Sequence, residues 1–316
     1  MADAAADRVF RIPEELHGRP LDGALRLLGE LPWNEARRMI ETGKVSIAGE
    51  VITTPTRRVR KGDVVELRLR APRPRVARAR AAVDDLIVYL DPAVVVRKPA
   101  GISTVPYEGD DGDGEDPGAT LDALVRDVVA RRDRIRGRAP LGVVQRLDKP
   151  TSGLIVFART FAAKKALSQQ LRKHTMSRRY LAIAHGSVSP GRIESFLVAD
   201  RGDRLRGSSR RGAREGQRAV THVDVVERLP GATLVGCRLE TGRTHQIRIH
   251  LAESGHPLLG EQVYVRDFTG PRIGAPRLML HAAELGFEHP SDGRLMQFTD
   301  ALPADFEETL ARLRRA

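Results

Sequence analysis

Gln145-Arg146-Leu147-Asp148-Lys149-Pro150-Thr151-Ser152-Gly153-Leu154-Ile155-Val156-Phe157-Ala158 reads in two halves. The first half is polar and carries Pro and Gly; the second is an unbroken apolar run. A short apolar run bounded by turn residues is the pattern of a buried strand, so the spacing predicts a strand over 154–158 fed by a loop that carries Asp148. A carboxylate at such a position is held by a rigid scaffold and is not packing material. Thr160 then caps a helix in which Ala163, Leu167 and Leu171 form an apolar stripe beside Lys164 and Lys165.

Upstream, apolar strand candidates run from Leu86 to Leu90 and Val94 to Val96, followed by a turn at Lys98-Pro99-Ala100-Gly101. Further towards the N-terminus, Leu21, Leu25 and Leu28 recur at helical spacing, and a second short helix fits Asn34 to Thr42 with Asn34 as its cap and Gly43 just past its end. Lys44-Val45-Ser46-Ile47, a Gly49-Glu50 turn, Val51-Ile52 and the alternating Val64 to Leu69 complete a small set of helices on a sheet. These signals divide the chain into a flexible N-terminus over 1–18, a small α+β domain over 19–70, a basic Arg/Pro/Ala linker over 71–82 and a larger domain over 83–316.

Composition narrows the function classes. The 316 residues are 41% hydrophobic and 30% charged, enough apolar material to bury a core. A formal net charge of +12 favours a polyanionic partner. Cys237 is the single cysteine, which excludes an internal disulfide and a thiolate zinc site; its apolar surroundings mark it as buried filler. No apolar stretch approaches the length of a membrane span and the N-terminus lacks a signal-peptide core, so a cytoplasmic protein without membrane association is expected. The acidic run from Glu108 to Asp116 lacks the order of a calcium loop. Between Arg201 and Arg218 lies an Arg- and Gly-rich segment that cannot pack on itself but suits folding around RNA.

Several further words stand in order along the larger domain: Arg179-Tyr180-Leu181-Ala182 with Gly186, Gly242-Arg243-Thr244-His245-Gln246-Ile247-Arg248-Ile249-His250, Gly255-His256-Pro257-Leu258-Leu259-Gly260 and Leu280-His281-Ala282. With Lys98 to Gly101 and the Asp148 segment, they resemble the RluA-type pseudouridine synthases over roughly 86–290. Residues 19–70, through Arg38-Met39-Ile40, Gly43 to Ile47 and Val59 to Val64, resemble the RNA-binding domain named after a small-subunit ribosomal protein, here called S-four-like. The resemblance implies an α+β protein: a pseudouridine synthase fold with a mixed, largely antiparallel sheet and a central cleft, plus the small N-terminal domain.

What the resemblance implies for chemistry is specific. Uridine must lose its nitrogen–sugar bond, turn within the site and rejoin through carbon 5. Asp148 maps onto the family's essential carboxylate, acting on the sugar or ring as a nucleophile or by drawing a sugar proton to form a glycal; the residues leave both routes open. An Arg facing it would keep it ionised, since an opposite charge within about 4–6 Å favours the charged form. Arg248 fits that place best, with Arg243 the competitor. Tyr180 would stack on the flipped base, Leu280 would pack the base pocket, and Arg146 would enter the space the base leaves. His245 and Gln246 would touch RNA or serve as structural hydrogen bonds. No metal or organic cofactor is implied.

The expected partner is RNA, ribosomal before transfer RNA, met by a monomer. Two rivals are a binding-only RNA protein and a hydrolase that releases uracil. Departures from the family pattern are Gln145 for its usual His, Glu261 for the Asp after Gly260, and the acidic insert.

Overall fold

The computed structural model describes residues 8–41, 43–47, 49–52, 55, 57–69, 86–106, 120–203, 205–209 and 215–315; the basic linker and the acidic insert lie outside them. The described residues form two compact units, one from those up to 69 and one from those beginning at 86.

In the first unit, strands β1 (Arg8–Arg11), β2 (Val45–Ile47), β3 (Glu50–Ile52) and β4 (Val64–Leu67) form an antiparallel sheet in the order β1-β4-β2-β3. Helices α1 (Leu21–Gly29) and α2 (Trp33–Glu41) add Leu21, Ala24, Leu25, Ala36 and Ile40 to a core shared with Val45, Ile47, Val65 and Leu67. Asn34 lies inside α2 rather than at its cap. The expected flexible stretch over 1–18 is corrected from Arg8 onward. Arg8–Arg11 pairs residue by residue with Val64–Leu67, and Ile12 and Leu16 are buried in the same core. A four-residue strand with Arg at both ends carries little local signal; its pairing partner stands more than fifty positions away.

The second unit is built on an eleven-stranded sheet. Its strands are β5 (Ile87–Leu90), β6 (Ala93–Lys98), β7 (Gly142–Val143), β8 (Ser152–Ala158), β9 (Ser177–His185), β10 (Gly191–Val198), β11 (Gly207–Ser208), β12 (Gln217–Leu229), β13 (Ala232–Leu239), β14 (Leu280–Glu288) and β15 (Leu295–Thr299). The order is β11-β10-β12-β13-β9-β14-β8-β6-β5, with β15 on β14 and β7 on β8. All pairings are antiparallel except β8 with β14, which makes the sheet mixed and largely antiparallel as expected.

Every residue of β8 is buried, and period-2 alternation sends its side chains into two cores. Ile155 and Phe157 join the core covered by α3 (Leu121–Arg132) and α5 (Gln246–Glu253). Leu154, Val156 and Ala158 join the opposite core, under Ala163 and Leu167 of α4 (Phe161–Arg172). Thr160 caps α4 by accepting the Ala163 amide at 3.1 Å. Helix α6 (Ala304–Arg314) seats Phe306, Leu310 and Leu313 on Ile183, Leu234 and Met279. Gly153, at φ +110°, is required where β8 meets β14, because a Cβ there would run into the Ala282 carbonyl. Cys237 is buried in β13, and burial pushes its thiol up to about 12, the property of inert filler.

The Arg-rich segment 201–218, read as unable to pack on itself, is partly built into the fold. Gly207–Ser208 pairs with Leu197 and Val198 of β10, Arg201 binds Asp203, and the Ser208 amide donates to Glu253. Residues 204 and 210–214 lie outside the described set.

Candidate active site

Asp148 sits in the loop that ends at Ser152, where β8 begins, and that loop is stapled on both sides of it. Ahead of Asp148, the Thr104 hydroxyl donates to the Leu147 carbonyl at 2.9 Å and accepts its amide at 3.1 Å. Behind it, the buried Lys98 ammonium donates to the carbonyls of Pro99, Lys149 and Thr151 at 3.0, 3.1 and 2.7 Å. The Gly101 amide adds a bond to Lys149 at 2.8 Å, and the Thr151 amide closes the turn onto the Asp148 carbonyl at 3.0 Å. All of these bonds hold main chain. The Asp148 side chain, 22% exposed, is therefore positioned without being consumed.

Lys98 was legible in the sequence only as part of a turn. Burial is the largest influence on it and, opposed by the Asp148 charge, brings it from 10.5 down to about 7. Its folded value is depressed, so between about pH 7 and 10.5 the unfolded chain holds one proton that the folded protein lacks. Stability from this group therefore rises with pH across that window. We expect urea unfolding to show a slope of up to about 1 kcal/mol per pH unit in the wild type that Lys98→Met flattens. Equal slopes in the two proteins would remove Lys98 from this role.

Helix α5 brings the opposing charge. Arg248 Nη1 lies 3.7 Å from Asp148, whereas Arg243 donates its Nε to the Arg218 carbonyl at 3.1 Å. Arg248 thus takes the facing position and Arg243 does not. The remaining Arg248 nitrogens are occupied: Nε and Nη2 donate to Glu261 at 2.7 and 2.8 Å, and the guanidinium lies 5.3 Å from the centre of the Tyr264 ring. Burial works against both charged partners, yet their mutual bond wins; Arg248 is held above its ordinary value and Glu261 below its own.

His245, at φ +59° in the left-handed region, places Nε2 3.9 Å from Asp148 and Nδ1 2.7 Å from the Tyr264 hydroxyl. A left-handed non-glycine residue costs of order 1 kcal/mol and gathers at functional sites. Burial, opposed by Asp148 and reinforced by Arg248, lowers His245 below 6.5, so the ring is neutral at neutral pH. Burial also raises Tyr264 to about 12, leaving it protonated. The Tyr264 hydroxyl and Nδ1 share this hydrogen bond, which leaves Nε2 as the ring nitrogen on the Asp148 side.

Tyr180 is 8% exposed, stands opposite Ala282 in β14 and Cys237 in β13, and shares a core with Leu147, Ile247 and Leu280. Burial raises its hydroxyl above the ordinary value, Arg178 opposes this, and Asp148 adds to it. Arg146 is exposed and pairs with no other described residue. Of the two readings of Gln246, contact with RNA or structural hydrogen bonds, the geometry matches the second. Gln246 is 2% exposed and fully engaged: its Oε1 accepts from Thr241 and the Arg243 amide, and its Nε2 donates to Val220 and Thr221. It shapes the entry to α5 from inside. Gln145 is half-buried in the same loop as Asp148. Thr104 and Tyr264 had no distinguishing local signal, and Glu261 stood out as a departure from the family pattern.

The family model described as RNA pseudouridylate synthase matches residues 92–253, and that of the S4 domain matches residues 19–65. The chain is 34% identical over 304 residues to the ribosomal large subunit pseudouridine synthase D of Zymomonas mobilis, covering 94% of each protein. It is 35% identical over 290 residues to the uncharacterized RNA pseudouridine synthase YlyB of Bacillus subtilis, covering 89% of each. Human RNA Pseudouridylate Synthase Domain Containing 4 superposes with a TM-score of 0.60 over 74% of this chain and 95% of that one; at 23% identity the likeness speaks to fold alone. Matches on this scale, spanning Asp148, Tyr180 and Arg248, have one meaning: the chain belongs to the RNA pseudouridylate synthase family, isomerases that turn uridine in RNA into pseudouridine, and carries an S4 domain in its N-terminal part.

Proposed function

We propose that the protein isomerises uridines of large-subunit ribosomal RNA and that Asp148 is the carboxylate on which the reaction depends. The observation that carries this reading is Asp148 itself: backbone-stapled, partly exposed, and facing Arg248 at 3.7 Å and His245 at 3.9 Å without a hydrogen bond to either. The choice of RNA is supported by the name of the Zymomonas relative, aligned along 94% of both chains. On this reading the protein works as a cytoplasmic monomer; none of its described helices is long and apolar enough to cross a membrane.

Asp148 breaks the bond between N1 and the sugar, by attack or by taking a sugar proton. The freed uracil turns and C5 bonds to C1′ as Asp148 is released from its covalent bond or hands the sugar proton back; the C5 proton then leaves and N1 gains one. Tyr180 and Leu280 line the side of the base. Arg248 and the neutral His245 stabilise the carboxylate side. Drawing the nucleotide out of folded RNA costs a few kcal/mol, which the exposed Arg146 offsets by filling the vacated stack.

The test is carbodiimide labelling and primer extension on large-subunit ribosomal RNA and on transfer RNA incubated with the purified protein. New stops on the ribosomal RNA alone are expected. Stops on transfer RNA alone would overturn the choice of substrate, and free uracil would turn the reading towards a hydrolase.

A further inference from the structure

Glu261 follows Gly260, whose φ of +77° lets the turn pass the Arg277 carbonyl where a Cβ would collide. The Glu261 side chain is 0% exposed and bonded on both oxygens. Oε1 accepts the backbone amides of Gln262 and Val263 at 3.0 and 2.9 Å, so the chain itself fixes the carboxylate. Arg248 docks on it with two parallel bonds, the geometry in which a guanidinium binds a carboxylate most strongly. Only Nη1 is left over, and at 3.7 Å from Asp148 it lies outside hydrogen-bonding range.

Two consequences follow for Asp148. Arg248 takes its orientation from Glu261, and its charge is already compensated before Asp148 meets it. A free guanidinium at this position would close on Asp148 with the same two-pronged geometry and cover the oxygens that must react. We propose that Glu261 is a positioning residue that holds Arg248 off Asp148, leaving the Asp148 carboxylate oriented but unbound. The inference rests on the reading of Asp148 as the reacting carboxylate. Asp148 is otherwise faced by Lys98 from β6, Tyr180 from β9, His245 at the start of α5 and Tyr264, none of which hydrogen-bonds its carboxylate among the described residues. Arg248 is therefore the group whose placement decides how exposed those oxygens are.

The test is single-turnover kinetics with the mapped RNA, alongside direct measurement of the RNA Kd and a melting curve for each protein. Glu261→Gln keeps the shape and removes the charge; Glu261→Asp keeps the charge and shortens the reach. The expected order of rates is wild type, then Asp, then Gln, with Gln slower by about a hundredfold, the scale of a misplacement near 1 Å. Kd should stay at the wild-type value. A Gln variant at the wild-type rate, or a loss carried entirely by Kd, overturns the proposal. Should the Gln variant fail to fold, Glu261→Asp decides alone: slower at unchanged Kd supports the proposal and a wild-type rate overturns it. Asp148→Asn run in the same assay separates the two readings, since product from that variant removes Asp148 from the reaction whatever Glu261 does.

Discussion

Asp148→Asn leaves the protein folded and bound to RNA while the single-turnover rate falls by about four orders of magnitude, the scale seen when a group central to the chemistry is removed. The staples of the loop explain why the fold survives. Thr104, Lys98 and Gly101 bond the main chain of Leu147, Lys149 and Thr151, not the carboxylate. An amide of the same shape therefore loses no internal hydrogen bond, and Arg248 keeps its bonds to Glu261. Unfolding free energy should stay within about 1 kcal/mol of wild type. Release of tritium from RNA labelled at uridine C5 reads the reaction directly, because that proton leaves only when the new carbon–carbon bond is completed. A residual rate within about tenfold of wild type would move the chemistry off Asp148.

Why Asp148 was legible in the sequence and its supports were not comes down to distance along the chain. The loop and its strand are contiguous, and the change from polar residues to an unbroken apolar run marks the place where a scaffold holds a side chain. Thr104 reaches Leu147 across 43 positions and Lys98 reaches Thr151 across 53; no local period records such a contact. The choice between Arg248 and Arg243 turned on where α5 begins. With Gln246 as the first helical residue, every residue from Gln246 to Leu251 is buried, so α5 holds both Gln246 and Arg248 inside the fold, while Arg243 remains before the helix. The same fact explains why the sequence left two readings of Gln246 open: a polar residue inside a motif suits a contact to substrate as well as a structural bond until the helix start places it against Thr241 and Thr221. At the other end of the chain, β1 was invisible because an Arg-bounded strand of four residues becomes a strand only when β4 is beside it.

Arg248→Met should destabilise the fold by about 3–5 kcal/mol, because it strands the Glu261 carboxylate in a buried site without its cation. Methionine fills much of the same volume, so the loss is electrostatic rather than a cavity. The double variant Arg248→Met with Glu261→Leu removes both charges and should recover most of that stability, since a buried ion pair exchanged for apolar side chains of similar volume is often neutral or better. Activity should not return in either protein, because both lack the guanidinium that faces Asp148. The pH dependence gives an independent check on the cause. In the wild type Glu261 titrates below its ordinary value of 4.5, so its contribution is present above that pH and lost as acid protonates it. In Arg248→Met the desolvated carboxylate titrates above its unfolded value, the sign reverses, and the variant gains stability relative to wild type as the pH falls towards about 5. Urea unfolding of the three proteins at neutral and mildly acidic pH measures all of this. A single variant as stable as the double one would mean that Glu261 finds another partner when Arg248 is gone, and that the pair serves the reaction without carrying the fold.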